Sequence, residues 1–196
     1  MTAAGPAPRH AATVLLVRDG DHPERPLEVL MVQRHPSMAF GGMWAFPGGA
    51  VEDHDALDAD GAGRFWACAA RETVEETGLA IRVEDLHHLS HWITPEGAPA
   101  RFDTRFFVAR APDGEHAHHE REHTDSCWIR PADALDRHAA GTFELILPTL
   151  RNLEAIGRCA TVAELLDAVS VAGDPRAIDD GGGWRIRLPG DPELVQ

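Results

Sequence analysis

Arg71-Glu72-Thr73-Val74-Glu75-Glu76-Thr77-Gly78-Leu79 is the stretch on which the reading of this chain turns. Residues 64–77 read as a helix, and Gly78 suits its left-handed C-terminal cap. On that helix Glu72, Glu75 and Glu76 stand at i, i+3 and i+4, so the three carboxylates share one face. Three like charges in one stripe repel one another. That cost makes sense around divalent cations, because carboxylate oxygens are natural ligands of Mg²⁺ or Mn²⁺. A solvated acidic helix face is the plain alternative in a chain this acidic. Phe65, Cys68, Ala69 and Ala70 give the helix an apolar surface of mostly small residues, suited to close packing on a sheet.

Working outward, Phe46-Pro47-Gly48-Gly49 closes a short strand at 44–46 with residues that allow unusual backbone angles and leave carbonyls free. Residues 12–18 and 27–34 read as two earlier strands around the turn-rich DGDHPERP. Strand-like segments follow the helix at 81–83, 86–93, 101–109 and 124–130. Pro131 opens a helix through His138, and residues 144–158 and 161–170 read as two more. The last of these carries a capping box in Thr161-Val162-Ala163-Glu164. A final strand is expected at 184–188. This order implies an α+β layered domain with a mixed sheet. Residues 1–10 read as a flexible tail and 11–196 as one domain. Residues 52–63 hold five acids and three alanines, and are expected to be mobile and exposed.

Composition excludes whole classes. With 43% hydrophobic residues in 196, the chain is neither disordered nor collagen-like. All 18 basic residues are Arg, against 32 Asp and Glu, for a net charge of −14. That field repels a nucleic acid polymer. A small anion can still bind where a metal or a few aimed arginines meet it. Cys68, Cys127 and Cys159 form no CxxC pair, which suits a reducing compartment and argues against a thiolate zinc site. No apolar run is long enough to span a membrane, and the N-terminus lacks the apolar core of a signal peptide. The expectation is a cytoplasmic protein.

Taken together, the PGG turn, the helix and REx₂EExGL resemble the Nudix box, G-x₅-E-x₇-R-E-U-x-E-E-x-G-U with U aliphatic. Gly49, Arg71, Glu72, Glu75, Glu76, Gly78 and Leu79 match. Three departures stand out. The interval from Gly49 to Arg71 is eight residues longer than in the pattern, an insertion in the loop before the helix. The sixth position after Gly49 is Asp55 rather than Glu, with Glu52 and Asp53 as competitors. Thr73 replaces an aliphatic residue.

The resemblance implies a Nudix-like α/β/α sandwich with a mixed sheet, here with extra C-terminal helices. It also implies hydrolysis of a nucleoside diphosphate linked to another moiety, using Mg²⁺ or Mn²⁺. Glu72, Glu75, Glu76 and the Gly49 carbonyl would hold the cations, with Arg71 orienting the acids. Glu72, Glu75, Arg71 and Glu122 are the implied catalytic set; Glu120 and Asp125 compete with Glu122. Arg34, Arg101 and Arg105 are candidates to meet phosphate, and Phe46 and Trp92 to contact substrate, although rings such as Trp92 also pack cores. RFDTRFFVARAP and EHTDSCW are similar to the coenzyme A diphosphatase-like branch, which has an enlarged box loop. The upstream R-x₃-G-x₃-FPGG pattern of that branch is met at Gly42 and Phe46, but Met38 stands at the Arg position. The alternative substrates are ADP-ribose, dinucleotides and oxidised nucleoside triphosphates; a non-catalytic nucleotide-binding module is the rival class. Partners implied are a small-molecule nucleoside diphosphate derivative, no nucleic acid polymer and no membrane, with room for a homodimer. His116, His118, His119 and His123 fit no compact zinc template and read as a solvated loop.

Overall fold

The structure is a computed structural model, and it describes residues 7–55, 63–94, 97, 98, 100–117 and 121–172. Strand β1 (Arg9–Asp19) runs through the middle of the sheet. Its alternation serves two layers at once. Ala12, Val14 and Leu16 belong to one core cluster, Leu15 and Val17 to the other.

The chain continues through β2 (Leu27–Arg34), β3 (Trp44–Ala45), β4 (Gly48–Ala50), helix α1 (Arg64–Thr77), β5 (His87–Ile93), β6 (Phe102–Arg110) and β7 (His123–Ile129). Helices α2 (Pro131–Ala139), α3 (Leu147–Ile156) and α4 (Val162–Ala172) follow. The sheet order is β3-β2-β1-β6-β5, with β4 paired to β1 and β7 to β2. β1 and β6 run parallel from Arg9↔Phe102 to Val17↔Arg110, while the other pairs are antiparallel. α1 covers one face; α2, α3 and α4 pack into the cluster on the other. This is the expected α+β sandwich with a mixed sheet.

Several local expectations need correction. β1 begins at Arg9, inside the segment read as a tail. Gly48-Gly49-Ala50 does not merely stop a strand; it is one, with Ala12 opposite Gly49. A Cβ on Gly48 would run into the Ala12 carbonyl, so only glycine lets the two backbones approach. Residues 81–83 do not form a strand. Val83–Asp85 is a 3₁₀ turn, held by Asp85 N–H to Arg82 O and Leu86 N–H to Val83 O. α3 starts at Leu147, with Pro148 in its first turn, because residues 144 and 145 are spent on β3: Trp44 N–H donates to Glu144 O and Trp44 bridges Leu145. At α4 the box is only half reciprocal. Glu164 N–H donates to Thr161 Oγ1, but the Glu164 carboxylate accepts from Ala160 N–H. The strand expected at 184–188 lies outside the described residues.

Candidate functional site

α1 spans the residues expected of it. Gly78 takes φ 72° and donates its N–H to Val74 O, closing the last turn. Cys68 and Ala69 are fully buried, so the helix lies close on the sheet. The two threonines that replace or neighbour aliphatic positions hide their hydroxyls within the helix. Thr73 donates to Ala69 O and Thr77 to Thr73 O.

The three acids share a stripe but not an environment. Glu75 is exposed, Glu72 is partly covered, and Glu76 is 4% exposed, so the face is not uniformly open to solvent. Glu76 Oε2 accepts the Gly48 N–H at 2.8 Å, and His123 Nε2 lies 3.5 Å from Oε1. Burial pushes the Glu76 carboxyl up to about 8, and the charges of Glu72 and Glu122 add to this against the pull of Gly48 N–H and Arg34. Burial likewise raises Glu72, with Glu75 and Glu122 adding to it while Arg71 opposes. Glu122 and Arg34 therefore stand within electrostatic reach of the buried acids.

Arg71 organises the stripe. It grips Asp55 with two parallel bonds, Nε to Oδ1 at 2.9 Å and Nη2 to Oδ2 at 3.0 Å. Its Nη1 donates to Glu72 at 2.8 Å and to Glu75 at 3.0 Å, and Nη2 also reaches Ala50 O at 3.1 Å. Asp55 is 3% exposed, which corrects the expectation of a mobile, exposed segment at that residue. Burial alone would raise its carboxyl; the Arg71 bonds and charge, with the Glu52 N–H, hold it below the usual range. Residues 56–62 of the same loop lie outside the described residues. Among the three acids competing for the sixth position, only Asp55 meets the arginine. Fixed counting from Gly49 was the signal, and it favours Asp55.

Gly49 is placed by β4 directly over Glu72. A Cβ there would collide with the Glu72 carboxylate. The Gly49 carbonyl, paired with Ala12 in the β1–β4 ladder, also meets the Cys68 thiol at 3.7 Å. Burial pushes that thiol up to about 12, so Cys68 is a packing residue and not a nucleophile.

The substrate candidates divide. Arg34 is half-buried, donates Nε to Ala39 O at 2.9 Å, and acts on Glu76. Arg101 sits before β6, donating Nε to Thr94 O. Phe46 and Trp92, expected to touch substrate, are 2% and 3% exposed within the core. Phe46 meets Phe106 edge-on and Trp92 donates its indole N–H to Ser90 Oγ, so neither ring presents a face to a ligand. Arg105 lies over the Phe65 and Trp66 rings. Of the competitors to Glu122, Asp125 is exposed and accepts Ser126 N–H, and residue 120 lies outside the described residues. Sequence reading missed the Glu76–His123 contact, since nothing local links β7 to α1.

Glu72 and Glu76, held back from ionising by burial and by neighbouring acids, are hard oxygen donors of the kind that fits a divalent cation. Among the described residues no three His, Cys, Asp or Glu groups already surround one point. Glu72 and Glu75, now held by Arg71, would have to turn to complete such a set.

An α/β/α sandwich whose glycine-capped acid helix is locked to a Gly-Gly strand defines the class. A NUDIX domain family model matches residues 8–147, and the chain belongs to the Nudix family. It is similar to a NUDIX hydrolase from Alicyclobacillus acidocaldarius, with 27% identity, TM-score 0.74, and coverage of 84% of this chain and 97% of that one. A MutT NUDIX hydrolase from Burkholderia pseudomallei shares the fold at 21% identity and TM-score 0.55, over 76% of this chain and 98% of the other. So does the NUDIX domain of Shewanella oneidensis NrtR, solved with ADP ribose, at 20% identity and TM-score 0.57, over 76% and 86%. No curated protein matches the chain in sequence. The chain is a Nudix hydrolase, of a family whose members generally use divalent metal ions. Among the described residues, no helix is long and apolar enough to cross a membrane.

Proposed function

We propose that the chain hydrolyses the diphosphate bond of a nucleoside diphosphate linked to another moiety, with coenzyme A or a related compound as the first candidate. The observation that carries this reading is the convergence of Glu72, Glu76 and Glu122 on one another beside Arg71 and Arg34. Glu72, Glu75, Glu76 and the Gly49 carbonyl would hold Mg²⁺ or Mn²⁺. When bound, the ions neutralise phosphate charge and make water a stronger nucleophile. Glu122 accepts the proton of the attacking water, as general base. Arg71 keeps Glu72 and Glu75 aimed, and Arg34 meets a phosphate of the substrate. Water oxygen joins one phosphorus, the bridging P–O bond breaks, and two phosphorylated products leave.

Coenzyme A is favoured by Gly42 and Phe46 at their places in the upstream pattern and disfavoured by Met38. Phe46 is a core residue, so its place in that pattern reflects packing. ADP-ribose is the second reading, because it is the ligand solved with the NrtR domain that shares this fold. A panel of both, with dinucleotides and oxidised nucleoside triphosphates under Mg²⁺ and Mn²⁺, tests the reading by product mass. A kcat/KM for coenzyme A and its acyl forms ~100-fold below another member, about 2.7 kcal/mol, removes that assignment. Tight binding without any product over hours supports a binding module instead.

A further inference from the structure

The facing of β7 changes partway along the strand. Trp128 packs with α1 in one core cluster, while Cys127 and Ile129 belong to the other. Strict alternation would therefore turn Asp125 and His123 away from α1. The register with β2 breaks between Gln33 and Arg34. Gln33 stands opposite Asp125 but Arg34 stands opposite His123, so Thr124 is an extra residue on β7. Its hydroxyl donates to Gln33 Oε1 at 3.0 Å. Such a bulge reverses the facing of the residues beyond it. His123 thus comes to the α1 face, and its side chain is 1% exposed.

The bulge aims His123 at Glu76. Glu76 Oε2 accepts Gly48 N–H at 2.8 Å and His123 Nε2 stands 3.5 Å from Oε1, so β4 and β7 each supply one carboxylate oxygen with a neighbour. Whichever of ring and carboxyl carries the hydrogen between them, the two are complementary. At 3.5 Å the ring is at the outer edge of hydrogen bonding, and burial confines the pair. The Glu76 side chain is 4% exposed, with little solvent into which its carboxylate could swing. An apolar side chain at 123 would leave Oε1 facing hydrocarbon. We propose that His123 is a positioning residue, turned inward by the Thr124 bulge, that holds the Glu76 carboxylate ready for a divalent cation. Partners that fix a ligating carboxylate are worth about 10- to 100-fold in metal affinity. This rests on the reading of Glu76 as a cation ligand.

The test titrates the full chain with Mn²⁺, following the free ion by its electron paramagnetic resonance signal. His123→Leu and His123→Met remove the ring nitrogens and fill the space in two different ways, so that one folded variant suffices; urea melts without metal identify it. His123→Gln returns an amide to the place of Nε2. The apolar variants are expected to weaken Mn²⁺ binding about tenfold or more, and Gln to stay within about threefold of wild type. Gln as weak as the apolar variants means that the ring acts by packing alone, and overturns the proposal. Wild-type affinity in all three overturns it too. In a Glu76→Gln background, itself weakened about tenfold or more, the apolar change should cost nothing further. An equal further loss there places its effect elsewhere and overturns the proposal. If Glu76→Gln binds Mn²⁺ like wild type, Glu76 is no ligand and the two readings fall together. If Glu76→Gln is weak while the His123 variants are not, the positioning role alone falls, which separates the two failures.

Discussion

On one face of the sheet, α3 and α4 bring Leu153, Ile156, Val162, Leu165 and Val169 into a cluster with Leu15, Val17, Met31 and Val108. On the other, α1 begins in the same way, with Phe65, Cys68 and Ala69 against Val14, Leu16 and Phe107, and then buries Thr73, Glu76 and Thr77. The apolar face tolerates any good filling of its volume. The acid face does not, because each buried charge needs a particular partner: Asp55 has Arg71, and Glu76 has Gly48 N–H. Stability is concentrated where partners are interchangeable, and chemistry where they are not.

The sharpest separation of the two faces comes from the acids. Glu75→Gln and Glu76→Gln should each lower kcat about 10³-fold, about 4 kcal/mol in the transition state. Urea midpoints should hold or rise, since burial makes ionising Glu76 costly and the amide removes that cost. Wild-type turnover in both variants would break the contrast.

Arg71 should matter to stability as well as to rate. Arg71→Met leaves Asp55 buried without its counter-charge, at a cost of about 3 kcal/mol in urea denaturation. Adding Asp55→Asn should recover most of that stability and none of the turnover. If the double variant is no more stable than the single, the ion pair is not what fixes the loop. On the opposite face, Ile156→Val should cost about 1 kcal/mol and leave kcat/KM unchanged. A lowered kcat/KM there would mean that the faces are coupled.

How much of this was legible in the sequence follows the same division. α1 could be read to its ends because an apolar spacing, a cap glycine and an acid stripe all agree within fifteen residues. The stripe of acids along one face of α1 was legible, but not its gradient of burial from Glu75 to Glu76, which depends on β4 and β7 closing over one end of the stripe. β4 was missed because Gly48-Gly49 has no side chains to alternate. Phe46 and Trp92 were read as substrate contacts because an aromatic near a motif looks the same whether it faces a ligand or a core. The contacts of His116 with Ser126 and Trp128 of β7 come from a stretch that reads only as polar. Long-range polar partners leave no periodicity.

The smallest effect probes the sheet edge away from both faces' centres. Asp103 on β6 pairs with His91 on β5, with His10 on β1 at 3.8 Å and the Arg105 charge acting on it as well. Burial would raise its carboxyl, but the His91 bond and these positive charges outweigh that and hold it below the usual carboxylate range. A carboxyl lowered on folding stabilises the protein above its unfolded value, near pH 4, and that stabilisation disappears as pH falls through the lower folded value. Asp103→Asn copies the protonated form. It should therefore cost about half a kcal/mol at pH 6 and nothing near pH 2, with turnover at neutral pH unchanged. Thermal melts of the two proteins should converge as the buffer is acidified. A gap that persists undiminished at pH 2 would mean that Asp103 acts through shape, and that the edge obeys the rule of the apolar face instead.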